Sequence, residues 1–342
     1  MKSFIMDTIK GYWYIAAAAS ELKTKPIKRK VEGESLVLWR DRAGTPHALQ
    51  DRCAHRGMAL SAGKVVKDCI QCPYHGYTYD RLGRLKDIPS LCSEERLPRV
   101  KSMKSLPVIE QQEQLWVWIG DQEPTRKPFE FPYYGEEGWS TFFMQTRFHA
   151  PVDMCLENFL DVPHTIFVHP GLFRNEDQDA VQTRVTRSGE SVVVTFLDEK
   201  PMEGIGPRLV FPKGVKQKHT DRFILPSISR VDYEYGSDHQ FLIVSQCTQR
   251  EEFVVDVTTA IIWRLPLPSL ITRPFLKWYC RKVIQQDVEI LEIQGAQMKE
   301  FGRHFTHTKV DLLGRHINAL RRNAVQGTRK LKDMSQEVSI RI

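Results

Sequence analysis

Residues 53–79 read CAHRGMALSAGKVVKDCIQCPYHGYTY, and the rest of the chain is organised around them. Cys53 and His55 form a C-x-H pair, and after sixteen intervening residues Cys72 and His75 form a C-x-x-H pair. A thiolate and an imidazole so close together can grip one metal centre from a single tight loop, and two such loops facing each other can enclose it. Two metal chemistries fit this donor set. Zinc accepts two Cys and two His in a tetrahedron, whereas a two-iron, two-sulfur cluster can take both Cys on one iron and both His on the other. The spacing by itself leaves the choice open.

The surrounding residues decide it. Each pair runs into a turn, His55-Arg56-Gly57 and His75-Gly76-Tyr77, and Pro73 separates the second Cys from its His. C-A-H-R-G followed by C-P-Y-H-G resembles the signature of the Rieske family, which implies a 2Fe-2S cluster held by Cys53, His55, Cys72 and His75. Cys69 makes a competing C-x-x-C with Cys72, a spacing that also suits zinc or dithiol chemistry. Within KDCIQC it reads instead as a small buried apolar strand residue.

Around the loops, the text from Pro26 to Gln50 alternates short Val/Leu-rich runs with turn residues, and Asp41 to Gly44 marks a hairpin turn. RLGRLKDIPS suggests another turn at Gly83, and QLWVWIGD suggests a strand at Leu115 to Ile119. A segment with Pro124, Pro128 and Pro132 then reads as a linker. The expected organisation is α+β: an N-terminal all-β Rieske domain with a short arm over 1–122, and a catalytic domain over 123–342 with an antiparallel sheet flanked by helices.

Downstream, PVDMCLENFLDVPHTIFVHPG reads as one helix from Pro151 to a Pro-Gly stop. On such a helix Glu157, Asp161 and His164 share a face. His169 would lie about 140° from His164, so a common metal needs a bend or a helix end, for which Pro163 and Pro170 are suitably placed. D-x-x-H-x-x-x-x-H resembles the iron motif of Rieske oxygenases. Mononuclear iron enzymes that activate oxygen use two His and one carboxylate on one face of the metal. The third ligand is assigned to Asp287 in VIQQDVEILEIQ. Its helical neighbours Val283, Ile284, Ile290 and Leu291 are apolar, and a carboxylate on a buried face requires a partner. Glu289 and Glu292 fall on the solvent side, and Asp221, Asp232, Asp238 and Asp256 lie in strand- or loop-like text.

The paired motifs resemble the terminal oxygenase component of Rieske non-haem iron systems, in the monooxygenase and demethylase branch. The resemblance implies a mononuclear Fe(II) held by His164, His169 and Asp287, with O2 as co-substrate. It implies electrons from NAD(P)H through a separate ferredoxin or flavin reductase, since the chain shows no Gly-rich nucleotide fingerprint. It also implies a homotrimer in which Asp161 couples a neighbour's cluster to the iron and orients His164. The residue four before that Asp is often Asn in such enzymes; here it is Glu157, with Asn158 beside it.

The apolar text between 200 and 280, which includes Phe211, Phe223, Ile224, Leu225, Phe241, Ile261, Ile262 and Trp263, suits a sheet covering a hydrophobic pocket. The resemblance to the monooxygenase and demethylase branch, by length and the late Asp-containing helix, implies hydroxylation or oxidative dealkylation of a hydrophobic cyclic molecule. Residues 258–278 carry three Pro and two Arg among apolar residues, and read as a strand entering an apolar loop that lines a pocket, touches a membrane surface or forms a packed connection. A formal charge of +7 without a basic stripe on a recognisable module argues against a nucleic-acid role. Seven irregularly spaced Cys, no secretory signal and no long apolar run suggest a cytoplasmic chain without a transmembrane segment. Two rival readings are an electron-transfer Rieske protein without oxygen chemistry and a structural zinc module. The first leaves the Asp161, His164 and His169 set without a role.

Overall fold

The computed structural model describes residues 8–92, 94–172, 180–201, 215–327 and 331–342. The chain divides into two compact units, Thr8–Glu130 and Phe131–Ile342.

The first unit is built on strands, with short 3-10 turns at Ala19–Glu21 and Leu60–Ala62. A three-stranded sheet places β11 (Gln114–Ile119) between β1 (Tyr12–Ala18) and β10 (Val108–Gln111). β11 is buried along its whole length, as its unbroken QLWVWI run demands. A four-stranded sheet runs in the order β2 (Ile27–Val31), β3 (Glu34–Arg40), β4 (Pro46–Gln50) and β9 (Ser105–Leu106). A third, of β5 (Lys64–Val66), β6 (Cys69–Gln71), β7 (Thr78–Tyr79) and β8 (Leu85–Asp87), carries the cluster loops. Cys69 begins β6 and pairs with Val66, but it is half-buried rather than buried. The proline-containing segment after Gln122 is tied into this unit. Trp13 Nε1 donates to the Arg126 carbonyl (2.7 Å), the Arg126 guanidinium sits 4.1 Å from the centre of the Tyr12 ring, and Gln111 Nε2 donates to the Phe129 carbonyl (3.0 Å). These contacts put the structural division at 130/131, where composition suggested 122/123.

The second unit is built on an eight-stranded antiparallel sheet. Its strands are β12 (Ser140–Phe148), β13 (Ala180–Ser188), β14 (Ser191–Phe196), β15 (Gln217–Ile224), β16 (Ile228–Tyr235), β17 (His239–Glu251), β18 (Val254–Arg264) and β19 (Met334–Arg341). Their order across the sheet is β12-β18-β17-β16-β15-β14-β13-β19. β13 and β14 alternate buried and open positions, the mark of a sheet with one solvated face, whereas β18 is buried almost continuously. Phe223, Ile262 and Trp263 belong to this core; Phe211 lies outside the described residues.

Among the described residues, four helices accompany the sheet: α1 (Val152–Phe159), α2 (His164–Val168), α3 (Ser269–Phe301) and α4 (Gly314–Gln326). The single helix expected from Pro151 is therefore two, broken over 160–163. Pro163 disfavours helical backbone at Val162, so α1 ends and a new turn starts. Asp161 consequently lies between helices and does not continue the face of Glu157. The apolar loop expected at 258–278 is a short connection at 265–268. α3 starts immediately after Pro268 and tolerates Pro274 in its second turn, on an exposed side. α3 buries Thr272, Leu276, Tyr279, Cys280, Asp287, Leu291, Gly295 and Met298, a stripe at helical spacing. At Gly295 a Cβ would fall 2.2 Å from the His149 carbonyl oxygen, so only glycine lets the helix approach the end of β12 this closely.

One charged group is sealed inside this unit. His219 on β15 stacks between Phe196 and Tyr233 at 4.2 and 4.3 Å, and is hydrogen-bonded to Glu199 (2.8 Å) and Asp221 (3.0 Å), all three side chains being buried. Burial opposes the charged imidazole, but the Asp221 and Glu199 carboxylates prevail and raise it to about 9. The folded protein thus holds this proton more tightly than an unfolded chain, whose His titrates near ~6.5. The stabilisation is complete below about pH 6.5 and is lost as pH rises through about 9. We expect denaturant unfolding to show stability falling by roughly 3 kcal/mol across that window. His219→Gln should cost about 3–5 kcal/mol at pH 7, because two buried carboxylates lose their cation.

Candidate metal centres

The two cluster loops close in the same way. Gly57 N donates to the Cys53 carbonyl (2.9 Å) and Gly76 N to the Cys72 carbonyl (3.2 Å). Cys53 N donates to Met58 O, and Cys72 N to Tyr77 O. Both glycines have positive φ, +71° and +73°, which explains the His-x-Gly and His-Gly endings of the two motifs. The thiols of Cys53 and Cys72 are buried, while His55 and His75 are exposed with ring centres 4.7 Å apart. Two buried sulfurs beneath two surface imidazoles suit a cluster with one inner and one outer iron. Burial pushes the Cys72 thiol up, a cost that metal ligation removes by holding the thiolate. Tyr79 Oη lies 3.3 Å from Cys53 Sγ. Cys69 is the first residue of its strand and belongs to neither loop.

In the second unit, the only set of three ligand groups within 4.8 Å of one another found among the described residues is His164, His169 and Asp287. The two imidazoles stand at the two ends of the single-turn helix α2. His164 is its first residue and His169 its C-cap, where the backbone has left helical geometry (φ −120°, ψ 53°). The ring centres are 5.2 Å apart. α3 brings Asp287 between them, with Oδ1 3.1 Å from His169 Nε2 and 3.6 Å from His164 Nε2. That oxygen is buried and makes no well-directed hydrogen bond. Burial opposes the Asp287 charge, yet the two imidazoles hold its carboxyl below the ordinary range; burial likewise opposes the His164 charge, and Asp287 and Asp161 raise it. Three donors with their lone pairs turned on one point, and a buried oxygen lacking a directed partner, fit a divalent cation with two His and one carboxylate.

The residues behind the donors were not signalled by spacing. Gln286 Oε1 lies 2.9 Å from His169 Nδ1 and accepts its N–H, which turns Nε2 and its lone pair toward Asp287. His164 Nδ1–H donates to the backbone carbonyl of Asp161, while the Asp161 carboxylate is 3.9 Å away. The tautomer of His164 is therefore held by the peptide, and the Asp161 side chain faces a cavity of about 440 Å³ with Glu157, Asp221 and Asp311. Glu157 is directed to α4, where Asn318 Nδ2 donates to it (2.7 Å); burial and Asp153 push its carboxyl up to about 7. Its neighbour Asn158 instead shares a cavity of about 110 Å³ with the three donors, and its buried Oδ1 lacks a hydrogen-bond partner. That cavity is walled by Phe241, Ile243 and Ile261 from the sheet and by Tyr279, Val283 and Ile284 from α3. Of the remaining acidic candidates, Asp232 pairs with Arg230, Asp256 with Arg147 and Arg250, and Asp238 sits in an exposed turn.

Residues 12–107 match the model of the Rieske [2Fe-2S] domain, and residues 148–326, more than half of the chain, match that of the vanillate O-demethylase oxygenase C-terminal domain. The chain belongs to the Rieske oxygenase family. It is 30% identical over 165 residues to the toluene-4-sulfonate monooxygenase system iron-sulfur subunit TsaM1 of Comamonas testosteroni, covering 47% of each chain. It is 28% identical over 335 residues to the 4beta-methylsterol monooxygenase of Methylococcus capsulatus, covering 88% of this chain and 84% of the relative. Alignment with several of the curated relatives spans about half of their length or less. The fold is that of dicamba monooxygenase bound to dicamba, with TM-score 0.79 at 20% identity over 93% of this chain and 98% of the other. NdmA of Pseudomonas putida CBB5 with caffeine gives TM-score 0.78 at 19% identity, over 92% and 91%.

Gln286→Leu should lower ferrous-ion affinity by roughly 10–100-fold, since His169 loses the partner that fixes its tautomer. Titration of iron-depleted protein with Fe(II) or Co(II) measures this, and unchanged affinity would remove Gln286 from the site.

Proposed function

We propose that this chain is a terminal oxygenase that uses O2 and externally supplied electrons to hydroxylate or oxidatively dealkylate a hydrophobic cyclic substrate. The observation that carries the reading is the convergence of His164, His169 and Asp287 at the edge of an apolar cavity. The electron-carrier alternative gives that convergence no task.

In this reading Cys53, His55, Cys72 and His75 hold the 2Fe-2S cluster of a Rieske domain in the first unit, and His164, His169 and Asp287 hold the mononuclear Fe(II) of a catalytic domain in the second. When iron is bound, a facial set of two His and one carboxylate leaves coordination positions open for O2. The protein's own groups do the rest. Gln286 and the Asp161 carbonyl keep Nδ1 of each His protonated, so that both Nε2 atoms stay available as donors. Phe241, Ile243, Ile261 and Ile284 exclude water and select an apolar ring. Ser245 and Thr259, hydrogen-bonded to each other at 2.8 Å, and Asn158 give the substrate polar groups by which to orient. Asp161, open to the larger cavity beside His164, is the residue through which a neighbouring subunit's cluster would be coupled in a homotrimer.

Electrons reach the cluster from NAD(P)H through a separate ferredoxin or flavin reductase. The similarity to TsaM1, the iron-sulfur subunit of a monooxygenase system, supports a multicomponent arrangement. Among the described residues no helix is long and apolar enough to cross a membrane, which is compatible with a cytoplasmic enzyme.

Protein purified without oxygen should contain about three irons and two acid-labile sulfides per chain. Asp287→Ala should bring iron to about two per chain with the cluster's visible spectrum intact, and Cys72→Ser should abolish that spectrum while Cys69→Ser preserves it. Two irons in the parent protein, with none added on ferrous supplementation, would reduce the chain to an electron carrier. A second expectation concerns Tyr79, whose hydroxyl lies 3.3 Å from Cys53 Sγ and would donate to it once Cys53 is a cluster-bound thiolate. A hydrogen bond that gains ~1–1.5 kcal/mol when the cluster is reduced raises its potential by roughly 40–60 mV for one electron. Tyr79→Phe should therefore lower the cluster midpoint potential by about that amount in a spectroelectrochemical titration.

A further inference from the structure

The first half of α3 has two faces of different character. Its inner face places Tyr279, Cys280, Val283 and Ile284 along the cavity beside the candidate iron site. Its outer face and the connection leading to it carry Leu267, Leu270, Ile271 and Trp278 at 54, 85, 63 and 56% exposure, values unusual for four large apolar side chains in one short stretch. At 100° per residue Leu270, Pro274, Trp278 and Ile271 fall within one arc of about 100°, with Arg273 and Lys277 on one flank and Lys282 on the other. Residues 257–286 contain Arg264, Arg273, Lys277, Arg281 and Lys282 and not one Asp or Glu. Lys282 Nζ lies 5.9 Å from the centre of the Trp278 ring. A run of aromatic contacts passes inward from there. Phe275 meets both Trp278 and Tyr279, with ring centres 6.1 Å apart in each case, and Tyr279 is a wall of the cavity.

We propose that this face, Leu267 to Lys282, docks onto a bilayer surface rich in anionic phospholipid. Aliphatic side chains and a Trp are suited to the boundary between headgroups and acyl chains, and flanking Lys and Arg reach phosphates while their stems stay apolar. The charge is of one sign throughout the stretch, which complements an anionic leaflet. A face with only a few apolar side chains gives reversible attachment. Its consequence for the enzyme, access of a membrane-dissolved substrate along the aromatic run to the cavity, rests on the oxygenase reading; the docking itself does not.

The test is flotation of the iron-loaded full-length protein with vesicles of phosphatidylglycerol and phosphatidylcholine at 3:7, and with pure phosphatidylcholine vesicles. We expect the protein to float with the mixed vesicles at low salt, to be released as salt is raised, and to stay behind with the neutral ones. Each basic residue near an anionic surface strengthens attachment roughly fivefold, so K277Q/R281Q should bind about 25-fold more weakly. L270D/I271D should abolish flotation with unchanged far-UV circular dichroism, iron content and sedimentation coefficient. Three results would overturn the proposal: no flotation of the parent protein with mixed vesicles, equal flotation of both variants, or a change of oligomeric mass in L270D/I271D, which would assign the face to a second copy of the chain. Because iron content and vesicle binding are read separately, failure of one idea is distinguishable from failure of the other.

Discussion

A carboxylate buried at the meeting point of two imidazoles is the constraint on which the second unit depends. Asp287 Oδ1 is buried without a directed hydrogen bond, and the imidazoles of His169 and His164, 3.1 and 3.6 Å away, offset the desolvation of its charge. The fold thereby holds His164, His169 and Asp287 within 4.8 Å of one another. Everything nearby serves to keep them there. Pro163 separates α1 from α2, α2 lasts only one turn, and His169 is released from helical geometry at its end. α3, laid close against the end of β12 at Gly295, delivers the carboxylate and, one residue earlier, the Gln286 amide that orients His169.

The first unit meets its constraint differently. There the donors come from two local loops, each closed by its own backbone hydrogen bond and its own left-handed glycine, so geometry is set within a few residues of each Cys. Sheet strands on either side of the loops fix how far apart the two pairs stand, and a core containing Trp39, Leu60 and Tyr79 seals the sulfurs from water. The buried His219 cluster shows that the second unit also holds strong charges for which the oxygenase reading has no use. Two aromatic rings and two carboxylates enclose that imidazolium completely, and its effect falls on stability and on the pH range of the fold.

Much of this was legible from the residues in order. The strand text on both sides of the cluster loops, the turns at Asp41–Gly44 and Gly83, and the strand at 114–119 follow from alternation and turn chemistry, which act over a few residues. The division of the helix at Pro163 was less legible, because the apolar spacing of VDMCLENFL continues in phase into HTIFV and hides the break. The start of α3 was hidden in the opposite way: three prolines suggested a loop, but two precede the helix and the third is tolerated on a solvent-facing turn.

What the sequence by itself determined is chemistry and local geometry: two Cys–His pairs that close on glycines, two His five residues apart beside a proline, and an Asp on the apolar side of a late helix. What only the tertiary structure decided is company. It joined Asp287 to a pair of His more than a hundred residues earlier, gave His164 a peptide carbonyl in place of the Asp161 carboxylate, turned Asn158 rather than Glu157 toward the metal donors, and set Gln286 behind His169. The physical reason is that such contacts depend on how a helix lies across a sheet. That is fixed by the register of eight strands and the packing between layers, and no short-range pattern of residues encodes it.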